Sequence, residues 1–184
     1  MSKVKILYST CGGNTKLVCE KVAEVLRHGA VGAAGGEPGA KKMGASEASA
    51  YGIEGKAGAS VAGAKHDVEL FDVKVADSPE KIGEADVYVF ASPTYGQGEL
   101  EMYFERFLQK AAEWHLEGKK CVVIALGDVK YHRDYLFEAA NILEEFLKGK
   151  KAELIYRPLK VAMTPIPRLN NVIKNWAEEF AKVL

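Results

Sequence analysis

Three short stretches carry residue types from which a binding site could be built. The first is Ser9-Thr10-Cys11-Gly12-Gly13-Asn14-Thr15, set between the apolar run Val4 to Tyr8 and an amphipathic pattern that begins near Thr15. A glycine-bearing turn that leads from a strand into a helix exposes unpaired backbone N–H groups and the positive end of the helix dipole, an arrangement suited to phosphate. The second stretch, Ser92-Pro93-Thr94-Tyr95-Gly96, and the third, Leu126-Gly127-Asp128 with Tyr131 three residues on, each follow an apolar run. A phosphate cradle flanked by two tyrosine-bearing loops suits a phosphorylated planar molecule, because aromatic faces stack on flat rings.

Other chemistries fit these residues less well. A cysteine in a phosphate loop fits the C-x5-R pattern of low-molecular-weight tyrosine phosphatases, but the position that should hold Arg is Leu17. Without a guanidinium, the charge of a transferring phosphoryl group lacks its bidentate partner. No G-K-[ST] closes the loop as in a nucleotide-binding P-loop, and the dinucleotide pattern G-x-G-x-x-G is absent. His28, His66, His115 and His132 are scattered without ligand spacing, so no metal site is expected. A helix start capped by Asn or Thr with no ligand would show the same first stretch, and only the two further loops weigh against that reading.

The elements that must position these residues follow from periodicity. Apolar runs predict strands at Val4–Tyr8, Asp67–Val73, Asp86–Ala91, Cys121–Leu126 and Ala152–Val161, the last interrupted at Pro158. Helical spacing predicts helices over about Thr15–Arg27, a short one after Ser78-Pro79, one from Glu99 to Trp114, one carrying Leu136 to Leu147, and one from Pro167 onward. Strands alternating with helices imply an α/β fold with a parallel sheet covered on both faces. More than half of residues 29–64 are Gly or Ala, so this segment is expected to be a mobile, low-complexity insert in a single domain spanning 1–184.

Composition narrows the partners. Basic and acidic residues balance at 25 each, which points away from nucleic acid and from an anionic membrane surface. The three cysteines, Cys11, Cys19 and Cys121, offer no disulfide framework, which fits a reducing compartment. No apolar run approaches the roughly 20 residues of a membrane helix, and a cytoplasmic, soluble chain is the expectation.

With the loops in order, the sequence resembles flavodoxin. Thr10-Cys11-Gly12-Gly13-Asn14-Thr15 is similar to the T-x-T-G-N-T phosphate loop of that family, Ser92-Pro93-Thr94-Tyr95-Gly96 to its first isoalloxazine loop, and Leu126-Gly127-Asp128-Val129-Lys130-Tyr131 to its second. The resemblance is greatest to the short-chain group. It implies a flavodoxin-like three-layer, doubly wound fold with a five-stranded parallel sheet in the order 2-1-3-4-5, flavodoxin itself being a standard illustration of that order and of ligand binding at its switch point. It further implies FMN as cofactor, with Thr10, Asn14, Thr15 and backbone amides of the stretch Ser9 to Thr15 at the phosphate, and Thr94, Tyr95, Gly96, Gly127, Asp128 and Tyr131 framing the ring. The Gly96 carbonyl would accept a hydrogen bond from the protonated N5 of the one-electron-reduced flavin.

Gly12 stands where the family often has a third hydroxyl, Tyr95 where many relatives have Trp, and Tyr135 rivals Tyr131 for the stacking position. The implied function is low-potential electron transfer between protein redox partners through the semiquinone and hydroquinone states, by a monomer without substrate turnover of its own. Glu99, Glu101, Glu105 and Asp128 are the acidic candidates for partner docking. A flavodoxin-like NAD(P)H:quinone oxidoreductase and a flavin-free interaction module are the alternatives.

Overall fold

In the computed structural model, residues 1–29, 65–129, 135–162 and 164–184 are described. The expectations for Tyr131 and for nearly all of the 29–64 insert therefore lie outside the described residues. Along the chain run β1 (Lys3–Tyr8), α1 (Asn14–His28), β2 (Asp67–Asp72), α2 (Pro79–Ile82), β3 (Val87–Tyr95), β4 (Glu99–Leu100) and α3 (Met102–Lys110). They are followed by β5 (Lys120–Gly127), α4 (Glu138–Gly149), β6 (Glu153–Leu154), β7 (Leu159–Ala162) and α5 (Lys174–Phe180).

The sheet order is β2-β1-β3-β5, with β6 and β7 both pairing in parallel with β5 as two pieces of one last strand. Counting those pieces together gives five parallel strands in the order 2-1-3-4-5. The break falls where Pro158 removes a backbone donor. β4 is a short antiparallel addition to β3, pairing Thr94 with Leu100 and Tyr95 with Glu99.

Residues of β1, β3 and β5 are buried on both sheet faces. On one face Val4, Ile6, Val89 and Ile124 pack against Val18, Val22 and Leu26 of α1 and Ile173, Trp176 and Phe180 near and within α5. On the other, Leu7, Tyr88, Phe90 and Val123 meet Phe104 and Phe107 of α3 and Leu143 and Leu147 of α4. Trp114 closes this second core, 5.0 Å from the Tyr88 ring in a T-shaped contact. The sheet itself buries a charged side chain: Lys5 is 5% exposed, donates from Nζ to the Ile82 carbonyl at the end of α2, and lies 3.5 Å from Glu69. A cation buried beside the carbonyl end of a helix is favourably placed.

Three boundaries differ from the sequence-based expectation. β3 does not end at Ala91 but runs on through Ser92-Pro93-Thr94-Tyr95, with Ser92 paired to Ala125 and Pro93 to Leu126. Beyond Ala91 it no longer has β1 as a neighbour, so Pro93 removes a donor where one side of the strand is already unpaired. α3 begins at Met102 rather than Glu99, because Glu99 and Leu100 complete a hairpin. The last helix is composite, with a 3-10 turn at Ile166–Arg168 and a π-helical stretch at Leu169–Ile173 ahead of α5.

The flanks of the 29–64 segment meet at the amino-terminal edge of the sheet, where the His66 backbone N–H donates to the Leu26 carbonyl over 3.0 Å. The His66 imidazole is buried there and accepts from the Ser2 amide at 3.4 Å. Burial, and after it the nearby N-terminal ammonium, holds its pKa below the usual value. A folded-state pKa below that of the unfolded chain contributes stability that is present above the unfolded value and is lost as pH falls through the folded one. The melting temperature should therefore drop as pH is lowered from 7 toward 5, and His66→Gln should flatten that slope in a thermal-melt series.

Candidate functional site

A cleft of about 400 Å³ opens at the carboxyl ends of β1, β3, β5 and β7. It lies where the strand order reverses, the position at which open α/β sheets bind ligands. Thr10, Cys11, Gly12, Asn14 and Thr15 line one wall, Pro93, Thr94 and Tyr95 a second, Leu126, Gly127 and Asp128 a third, and Thr164 completes the rim. All three stretches singled out in the sequence converge there.

The remaining candidates support the cleft from below or beside it. Ser9 is buried, donates its backbone N–H to the Ala91 carbonyl at 3.2 Å, and thereby ties the end of β1 to β3. Ser92 is fully buried and spends its hydroxyl on the Pro93 carbonyl. Gly13 and Gly96 shape the turns. Thr164 is the lining residue that the sequence reading missed. It has no motif around it, and its only signal is its place just past the last strand at the carboxyl edge.

The wall formed by Thr10 to Thr15 is built by one backbone step. Gly13 takes φ +82°, a left-handed conformation that L side chains rarely adopt, and turns the chain from β1 into α1. The helix so begun has no side-chain cap and no acidic residue in its first turn. The first intrahelical bond runs from the Leu17 N–H to the Gly13 carbonyl at 2.9 Å, so the amides ahead of Leu17 have no partner within the helix. An ideal Cβ on Gly12 or Gly13 would meet no atom within 4 Å, so this wall is open toward the cleft.

The two walls that end β3 and β5 are held by contacts between loops. The Thr94 hydroxyl accepts the Ala139 N–H at 3.2 Å and so caps α4 from the end of β3. Tyr95, half-buried, is anchored by its pairing with Glu99 and by the Gly98 N–H donating to its carbonyl at 3.0 Å. Burial pushes the Tyr95 phenol well above its ordinary pKa, and the Cys11 thiol beside it adds to the shift. Tyr135, exposed, sets its ring edge over Gly98, in the turn that follows Tyr95.

Two of the acidic docking candidates are already engaged. Glu101 is 2% exposed, and its carboxylate accepts the Tyr103 N–H at 3.0 Å and the Phe104 N–H at 3.4 Å. It is the cap of α3, which corrects its reading as a surface docking residue: a glutamate just ahead of a helix gains more from free amides than from solvent. Glu99 accepts the Gln97 N–H at 2.8 Å and stabilises the hairpin turn. Glu105 remains on the helix surface.

Comparison with known proteins settles the lineage of this arrangement. The profile of the family described as Flavodoxin matches residues 43–176, well over half of the chain. The chain belongs to the flavodoxin family. "Probable flavodoxin 2" of Bacillus subtilis is 21% identical over 182 residues, spanning 99% of this chain and 96% of that protein. A flavodoxin of Synechocystis is 27% identical over 149 residues, covering 81% of this chain and 66% of its own length. Among solved structures, oxidised flavodoxin 1 from Bacillus cereus superposes with a TM-score of 0.73 at 21% identity, covering 100% of this chain and 99% of its own. Fusobacterium nucleatum flavodoxin bound to flavin mononucleotide gives 0.64 at 16% identity, with 99% and 98% covered.

The flavodoxin-fold cleft has one position with no room for change. A Cβ on Gly127 would lie 1.8 Å from the Leu136 carbonyl oxygen, a backbone atom that cannot swing away. Gly127→Ala must separate the end of β5 from the segment leading into α4. The expected result is a fall in stability of about 1–3 kcal/mol, as for overpacking of a filled interior, together with weakened flavin binding. Urea unfolding and flavin-fluorescence titration check the two effects.

Proposed function

We propose that this chain is an FMN-dependent electron carrier of the flavodoxin type, with the residues of the 400 Å³ cleft as its flavin site. The carrying observation is that the uncapped start of α1 and the two ring-side walls share one cleft. The residues fit the group. An anionic phosphate matches amides left over at a helix start without acidic side chains, joined by the hydroxyls of Thr10 and Thr15. The cleft volume falls in the range of small-molecule sites, and Pro93, Tyr95 and Leu126 supply apolar surface for a planar ring.

FMN, when bound, supplies reversible uptake of electrons. The chain supplies the rest. Gly12 and Gly13 keep side chains out of the phosphate position, the amides at residues 14 to 16 orient the anion, and Asn14 and Thr15 begin the helix that carries them. Thr94 fixes the separation of the ring walls by bonding α4, and Tyr95 covers one face of the ring. The Gly96 carbonyl is assigned to the edge of the ring as an acceptor. Asp128 brings a carboxylate to the rim, where it disfavours added negative charge on the ring.

Protein redox partners are proposed to dock over the same rim. Of the exposed large apolar side chains, Val75, Met102, Val129, Tyr135 and Ile166 follow or flank the carboxyl ends of the strands, while Met1 and Val183 lie elsewhere. With Glu99 and Glu101 engaged within the chain, apolar contact rather than an acidic ring dominates this surface. No helix among the described residues is long and apolar enough to cross a membrane, and a cytoplasmic monomer organised as a single domain over 1–184 is the proposed setting.

The test is reconstitution. Protein incubated with FMN and desalted should retain the flavin spectrum, elute as a monomer, and take up electrons in two resolved stages during stepwise reduction. Failure to retain FMN, or sustained NAD(P)H oxidation with a quinone by an oligomer, would overturn the carrier reading.

A further inference from the structure

A four-residue turn, Tyr95-Gly96-Gln97-Gly98, joins β3 to β4 and is closed by the Gly98 N–H donating to the Tyr95 carbonyl at 3.0 Å. That bond spans the central peptide of the turn, which links the Gly96 carbonyl to the Gln97 N–H. Turns of types I′ and II′ share a positive φ at the first central residue, here Gly96 at φ +52°, and differ by roughly half a rotation of the central peptide. The closing bond alone therefore leaves the direction of the Gly96 carbonyl open.

A side chain from β4 fixes it. Glu99 Oε2 accepts the Gln97 N–H at 2.8 Å, and its carboxylate lies so close to Gly96 that an added Cβ would clash with Oε2. In a planar trans peptide the C=O and N–H groups point in opposite directions, so a carboxylate that draws the N–H toward itself turns the carbonyl away. The ionised acceptor makes this a strong hydrogen bond. The Glu99 backbone is already ordered by its pairing with Tyr95, so only its side-chain freedom is lost in making the contact.

We propose that Glu99 is a positioning residue for the flavin: by holding the Gln97 N–H it aims the Gly96 carbonyl at the ring edge, and so makes the site favour reduced over oxidised FMN. The proposal rests on the FMN reading above. The edge nitrogen of the oxidised ring is an acceptor, which a carbonyl repels; after uptake of one electron and one proton the same nitrogen is a donor, which a carbonyl held in place accepts without reorganising. The charge of Glu99 acts in the opposite sense. A carboxylate near the ring disfavours added electrons, so loss of the charge alone raises the reduction potential, whereas release of the carbonyl lowers it.

The experiment compares wild type with Glu99→Gln and Glu99→Ala. Gln keeps an oxygen that can accept the Gln97 N–H and removes the charge, whereas Ala removes both. In flavin-free protein, amide hydrogen exchange at Gln97 read by NMR should speed up on the order of tenfold in Glu99→Ala and by less in Glu99→Gln. In FMN-loaded protein, the affinity for one-electron-reduced relative to oxidised flavin should fall about tenfold in Glu99→Ala, a drop of about 59 mV in the first potential. Glu99→Gln should show no such drop. An unchanged or raised potential in Glu99→Ala, an equal fall in both variants, or unaltered Gln97 exchange would overturn the proposal. A wild-type chain that takes up no FMN would overturn the underlying reading and the proposal with it, and the wild-type titration alone reveals that case.

Discussion

The left-handed step at Gly13 governs the architecture of the cleft. It converts a buried parallel strand into a helix within a few residues and leaves the first-turn amides of α1 without partners inside the helix. Everything else at the carboxyl edge is arranged around that source of partial positive charge. β1 brings it to the middle of the sheet, α1 is pinned against the sheet by Val18, Val22 and Leu26, and Ser9 locks the strand end to β3. Because α1 buries one face completely, the amides are held in place, and an anion bound there would meet a preorganised site rather than one it must assemble.

The walls from β3 and β5 follow a different logic, since they are held mainly by strand pairing and close backbone contact. β3 continues past the end of β1 and is gripped on its outer stretch by β4 and β5. Thr94 then reaches α4, and the Leu136 carbonyl presses on Gly127. The width of the slot is thus set by the sheet and by the start of α4, elements buried in the second core. Flat rings are bound well by slots of fixed width, because little conformational freedom remains to be lost on binding.

Much of this was legible in the sequence, for identifiable reasons. The five main strands follow from apolar runs alternating with helical spacing, their order from the resemblance to flavodoxin, and the glycine-bearing turn at Ser9 to Thr15 from its composition between a strand and a helix. The profile match, which begins at residue 43, does not include that loop, so the loop and the family assignment support each other independently. What stayed hidden was tertiary. Pro93 looks like a strand breaker, and only the loss of β1 as a neighbour explains why β3 runs through it. Glu101 looks like a surface acid at a helix start until its burial and its two amide donors are known. Thr164 carries no pattern of its own, and Gly127 declares its purpose only when the Leu136 carbonyl is in place.

The ends of the chain also have a use. The Ser2 hydroxyl donates to the Leu184 carbonyl at 3.0 Å, beside the start of β1. The six residues of β1 span about 20 Å at the usual strand rise, so both ends sit roughly a strand length from the cleft. A reporter, an affinity handle or a covalently tethered reductase domain could be attached at either end without shading the opening. A linker of a few residues between the two would close the backbone into a circle.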